Sequence, residues 1–188
     1  MRFIATALFA ALALPAAAGE IHGKVEVTKN PGGILVYVVK ADGTFPAPAK
    51  PAAMDQTKME FSPYVLPVLA GGTVEFKNSD QVNHNVFSPD AEGYNLGTWS
   101  PGQSKPHTFA APGVYTQLCS LHPEMIAYIV VVQNPYYALT KADGTFVIKG
   151  VPDGSYQVRV IGKPIRKKDQ KKDFPVTVAG ATELSLSF

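Results

Sequence analysis

The chain reads as all-β, and three observations carry that reading. Short runs rich in Val, Ile, Thr, Tyr and Phe alternate with Gly, Pro, Asn and Asp, the pattern of strands and their turns. Asp-Gly, a strong hairpin dipeptide, stands at Asp42-Gly43, Asp143-Gly144 and Asp153-Gly154. No long stretch keeps a 3.6-residue apolar period.

Taken in order, the strands expected are 21–28, 34–40, 58–61, 65–69, 73–78, 85–87, 107–110, 114–118 and 127–132. After these come 145–149, 156–161, 176–179 and 183–188. A turn or two of helix is expected near 90–94. Pro46, Pro48 and Pro51 lie in an Ala/Pro/Lys stretch that cannot enter a central strand, so a linker is expected there. Asn134-Pro135 marks a second break after the apolar run ending at Val132. The hexapeptide Lys-Ala-Asp-Gly-Thr-Phe occurs at 40–45 and again at 141–146. Its flanks differ, so it reads as reuse of a turn rather than as duplication.

The first residues have the form of an export signal. Met1-Arg2 is basic, 3–14 is apolar apart from Thr6, and Pro15 precedes Ala16-Ala17-Ala18 as a cleavage site. The apolar run is too short for a membrane-spanning helix, and no other segment approaches one. A leader over 1–18 and a soluble periplasmic or secreted product are therefore expected. Without Arg2, the 17 basic residues fall to 16, against 15 acidic. Such a balance predicts neither nucleic acid nor a membrane as partner. The single cysteine rules out an internal disulfide, and 46% hydrophobic residues suffice for a core.

That cysteine, Cys119, begins the run Cys119-Ser120-Leu121-His122-Pro123-Glu124-Met125. A thiol, an imidazole and a thioether recur at every third position. Together they suit a soft, redox-active metal, copper above all. With four His and four Met in 188 residues, chance places both at these offsets about once in 2,000. An unpaired thiol in an exported chain also needs a reason to exist. Upstream, the run 72–78 ends in a polar turn and delivers His84-Asn85 at the start of the next strand.

The segment from about Met59 to Gln133 resembles the cupredoxins, the blue-copper fold of plastocyanin and amicyanin. The resemblance rests on Phe61-Ser62-Pro63, the 72–78 strand, His84-Asn85, Gly113-Val114-Tyr115 leading to Cys119, and the closing 127–132 strand. It implies a Greek-key β-sandwich over 55–133 holding one type 1 Cu(I)/Cu(II) ion. His84, Cys119 and His122 would be its strong equatorial ligands and Met125 the long axial one. Imidazole favours Cu(II) and sulfur favours Cu(I), so such a set serves both states. The resemblance also implies that Asn85 ties the two ligand loops together near Ser120. An Asn satisfying its own turn is an equal alternative.

Other candidates carry blander readings. His22 and His107 are expected at a surface or strand edge, and Met54 and Met59 in packing. Trp99, in the turn-rich run 97–102, is also expected to pack.

Thr140-x2-Asp143-Gly144-x-Phe146 and Pro152-x-Gly154-x-Tyr156 resemble the carboxypeptidase regulatory-like β-sandwich, a transthyretin-like fold. The strands of 19–40 look like that family's first half. Two arrangements follow: the copper segment is inserted into a second small sandwich made of 19–54 and 134–188, or the early strands extend the copper unit. Run 163–172 carries six basic residues and one acidic. It reads as a solvated loop, with a docking patch for an acidic redox partner as the functional alternative.

The function these readings imply is a monomeric electron carrier that is not an enzyme. Its partner would be a redox protein such as a cytochrome, dehydrogenase or oxidase. Copper storage or delivery, and a surface-binding module with a structural copper site, are the competing classes. Multicopper oxidase or copper nitrite reductase chemistry needs further histidine clusters, and only His22 and His107 remain.

Overall fold

A computed structural model describes residues 18–90 and 93–188. The expected leader lies outside the described residues except for Ala18, and so do two positions of the expected helical turn. The described chain is all-β. Its strands are β1 (Ala18–Glu26), β2 (Leu35–Val38), β3 (Ala52–Thr57), β4 (Glu60–Ser62), β5 (Val65–Leu69), β6 (Gly72–Asn78), β7 (His84–Ser88) and β8 (Tyr94–Trp99). There follow β9 (Ser104–Phe109), β10 (Gly113–Leu118), β11 (Ile126–Val132), β12 (Tyr137–Leu139), β13 (Thr145–Pro152), β14 (Gly154–Ile161), β15 (Phe174–Val178) and β16 (Ala181–Ser187). A single 3-10 turn, Asp169–Lys171, is the helical element among the described residues.

Strands β3 to β11 form two sheets, ordered β4-β3-β6-β9 and β5-β11-β10-β7-β8. Their facing side chains close one core around Met54, Phe76, Val86, Phe109, Ile129 and Val131. Alternation explains it. In β6, Val74 and Phe76 point inward while Thr73, Glu75 and Lys77 are more accessible, as a period of two requires. The strands on either side of this stretch pair with one another. β1 lies between β13 and β16, and β2 between β12 and β14, with β15 beyond. Ile21, Val36, Phe146, Ile148, Val158 and Val160 close a second core there.

A third apolar cluster joins the two. β11 is buried along nearly its whole length. Ala127, Ile129 and Val131 enter the first core. Val130 and Val132, on the opposite face, pack with Val65 against Leu35, Tyr37 and Ile161. The strand that follows the Cys119 loop is therefore covered on both sides.

Three strands escape the sequence reading. β3 is spelled Ala-Ala-Met-Asp-Gln-Thr, which lacks the β-branched signal. It is held by parallel pairing to β6 and antiparallel pairing to β4, and it spans residue 55, where a boundary was expected. β8 replaces the expected helical turn at Tyr94 and the expected loop at Trp99. It pairs with β7, and His84 faces Trp99 across the ladder. β12 is a three-residue strand against β2. Trp99 and Met54 are both buried in the first core, while Met59 occupies a turn with φ 61°. His22 lies on a central strand and meets Glu20 at 2.8 Å. His107 lies on the edge strand β9, stacked on Tyr94.

The repeated hexapeptide takes two different forms. At 141–146 it makes the turn into β13, where Asp143 accepts the Thr145 N–H and hydroxyl. Gly144 there has φ 84°, and an added Cβ would lie 2.5 Å from the Val25 carbonyl oxygen. At 40–45 the chain is irregular and Phe45 meets Tyr136 edge to face.

Candidate metal centre

Adjacent strands bring the donors together. β7 and β10 are neighbours, joined at Leu118↔Phe87, so the residue that opens β7 and the residue that follows β10 lie side by side. These are His84 and Cys119. The β10–β11 ladder, paired from Gly113↔Val131 to Leu118↔Ile126, pins both ends of the loop carrying His122 and Met125. The Met125 N–H donates to the His122 carbonyl at 3.0 Å, closing that loop behind Pro123.

Three lone-pair atoms converge. His122 Nδ1 lies 3.1 Å from His84 Nδ1 and 3.6 Å from Cys119 Sγ, and Cys119 Sγ lies 3.9 Å from His84 Nδ1. First-row metals bond imidazole nitrogen at about 2.0 Å and thiolate at about 2.3 Å. The N···N separation is below the ~4.0 Å sum of two such bonds and both N···S separations are below ~4.3 Å, so one ion can touch all three. The donor set therefore fits a metal. Sulfur among imidazoles favours copper over hard cations. Met125 is buried in the same core cluster as Cys119.

Burial is graded across the centre. His84 is 0% and Cys119 3% exposed, while His122 is only partly buried. Leu121, its neighbour in the loop, is an exposed large hydrophobic side chain. The centre is thus closed on the core side and approached from solvent at His122.

Asn85 and Ser120 are brought together as well. Asn85 Oδ1 accepts the Ser120 N–H at 3.2 Å, and the Asn85 N–H points to Cys119 Sγ at 3.4 Å. Asn85 Nδ2 donates to Asn95 Oδ1 and to the Gly97 carbonyl, both at 2.9 Å. One buried amide thus clamps β7, β8 and the Cys119 loop. Asn85→Ala would orphan the Ser120 N–H and the Gly97 carbonyl. We expect a loss of about 1–3 kcal/mol, read by denaturant unfolding of the metal-free protein, with a shifted thiolate-to-copper absorption after loading.

Asp80 is a residue of this centre that the sequence reading missed. The hairpin between β3 and β4 turns through Lys58 and Met59, with φ 56° and 61°. Such turns ordinarily call on Gly, which has no Cβ to clash, or on Asn, whose short polar side chain bonds locally. Asp80 offsets the strain by accepting the Lys58 N–H at 2.6 Å and the Met59 N–H at 2.9 Å. The same carboxylate lies 2.9 Å from His84 Nε2. A carboxylate only accepts, so Nε2 carries the proton and Nδ1 presents its lone pair to the centre. Burial opposes ionisation of Asp80. The hydrogen bonds from Met59, His84 and Lys58 outweigh it and hold the carboxyl below its ordinary range. The one signal for Asp80 in the sequence is its position four residues before His84.

One thiol and two imidazoles, two of the three buried, converge in a β-sandwich, the arrangement of a metal-binding protein of the cupredoxin kind. The model of the copper binding proteins of the plastocyanin/azurin family matches residues 49–133. Amicyanin-alpha of Methylorubrum extorquens is 30% identical over 89 residues, which cover 45% of this chain and 75% of that protein. The chain belongs to the plastocyanin/azurin family of copper binding proteins. Among solved structures, a purple cupredoxin from Nitrosopumilus maritimus is 28% identical, with 43% of this chain and 98% of that one covered and a TM-score of 0.40. A copper-containing nitrite reductase from Thermus scotoductus is also 28% identical, with 50% of this chain but only 25% of the enzyme covered and a TM-score of 0.44. No helix among the described residues is long and apolar enough to cross a membrane.

Proposed function

We propose that the protein is a type 1 copper protein that carries single electrons between redox partners in the periplasm or outside the cell, and is not itself an enzyme. His84, Cys119 and His122 would hold the ion, and the Met125 thioether, buried in the same core cluster as Cys119, would be its fourth and weaker donor. The observation that carries this reading is the convergence of two Nδ1 atoms and one Sγ within 3.1–3.9 Å of one another. Copper bound there would supply one-electron exchange between Cu(I) and Cu(II).

The chain's own residues would set the conditions for that exchange. Asp80 fixes the tautomer and the ring plane of His84. Asn85 holds the Cys119 loop through the Ser120 N–H and points its own N–H at the sulfur, where it stabilises negative charge. Trp99, opposite His84 on β8, helps keep water from the core side. His122 is the ring that a partner reaches. Around this unit we propose a split second sandwich of the carboxypeptidase regulatory-like type, made from 19–54 and 134–188 less residues 52–54, which belong to β3 and pair with β6. Pairing of β1 and β2 with β12 to β16 supports that division. Resemblance to an amicyanin supports a protein redox partner and export.

Reversible voltammetry of the copper-loaded chain, repeated with a mild chelator present, tests the function. A carrier keeps its copper through many cycles in both oxidation states. Loss of Cu(I) to the chelator on the first reduction would instead identify a delivery protein.

A further inference from the structure

The loop between β14 and β15 holds an excess of positive charge in a fixed shape. Residues 162–173 carry six basic side chains against two acidic ones, on a chain of net charge +2. Both acids are already engaged. Asp169, 1% exposed, is paired at 2.7 Å with Arg166 and with Lys172, and Asp173 is paired with Arg159 at 2.7 Å. Gln170 Nε2 donates to the Gly162 and Ile165 carbonyls at 3.1 and 2.7 Å, and Ile165 is buried in the second core. The loop is thus folded around Asp169 and Gln170. Lys167, Lys168 and Lys171 are left exposed, and no salt bridge is recorded for any of them among the described residues.

Two of these lysines face the copper-binding unit. Lys167, Lys171 and Arg159 line one side of a groove of about 570 Å³, and Val114, Thr116 and Tyr128 of β10 and β11 line the other. Asp90 is the only carboxylate in the lining, and its Oδ2 accepts the Thr116 N–H at 2.6 Å. Thr116 is three residues before Cys119, about 10 Å along the strand. The apolar contact of Ile161 with Val130 and Val132 holds the base of the loop against β11.

We propose that this groove and its lysines seat an acidic surface of the redox partner beside β10. The proposal rests on the electron-carrier reading. Charge complementarity argues for it, because unpaired exposed lysines at a fixed spacing accelerate encounter with an acidic protein in a salt-dependent way. The loop itself contains no aromatic residue to stack on bases, which disfavours single-stranded nucleic acid.

The test uses the copper-loaded full chain and a fluorescent Glu/Asp peptide as probe, followed by anisotropy at low and high salt. Two triple variants are compared, K167E/K168E/K171E in the loop and K24E/K141E/K149E elsewhere on the exposed surface. Both change net charge equally, and both spare Arg166 and Lys172, which hold Asp169. The peptide should bind the wild type and the distal variant alike and bind the loop variant at least about tenfold more weakly, with the loss of affinity disappearing at high salt. Equal weakening in the two variants, or no binding to the wild type, overturns the proposal. So does tighter loop-dependent binding of an anionic vesicle or a DNA oligonucleotide. The visible thiolate band reports separately on copper. A colourless wild type that still binds through the loop would overturn the carrier reading and uphold the seat.

Discussion

Cys119→Ser should abolish the intense visible band of the copper-loaded protein while leaving it folded. That band requires a sulfur orbital donating to Cu(II), and Cys119 carries the chain's only thiol. Serine nearly matches the thiol in size, so the core around Trp99 and Met125 should tolerate it. The hydroxyl, however, is a poor ligand for Cu(I). Copper retained by His84 and His122 alone would be colourless by comparison, and Cu(I) affinity should fall by orders of magnitude. Absorption spectra with a Cu(I) competition titration, alongside circular dichroism, check both halves of the expectation. A variant that kept the band would remove Cys119 from the centre.

Phe76→Ala should be the most costly truncation in the metal-free protein, at about 3–5 kcal/mol. Phe76 is fully buried at the middle of β6 and is, with Phe109, among the largest fully buried side chains of the first core. Its ring lies between the sheet that carries Asp80's hairpin and the sheet that carries the donors, so little can collapse into the space. Copper binds the folded state, so loading should recover part of the loss by mass action. Denaturant unfolding with and without copper measures both quantities. A loss under about 1 kcal/mol would mean that the core relaxes around the cavity in a way the packing does not suggest.

How much of this was legible in the sequence follows from where each signal resides. The convergence of Cys119 and His122 could be read because both lie in one short loop, so ligand type and spacing are local. His84 was added by the cupredoxin resemblance, and its place beside Cys119 follows from the pairing of β7 with β10. Asp80 could not be assigned. Its role depends on two strained N–H groups at Lys58 and Met59, more than 20 residues away in sequence, and nothing in a Lys-Met dipeptide announces a left-handed turn. β3 and β8 were hidden for a related reason. Ala52-Ala53-Met54-Asp55 has weak intrinsic strand preference and is a strand because β6 and β4 pair with it. Asn95 and Gly97 look like turn residues, yet Asn85 holds both in place. The basic run 163–172 showed its charge in sequence but not its shape, because the internal pairing of Asp169 exists only once the loop closes.

X-ray absorption at the copper edge of the loaded, folded wild-type protein tests the central claim most directly. The account predicts one copper per chain with one short sulfur and two imidazole nitrogens in its inner shell, the sulfur contribution vanishing in Cys119→Ser. A shell of nitrogen and oxygen without sulfur, or a folded protein that binds no copper, would contradict it.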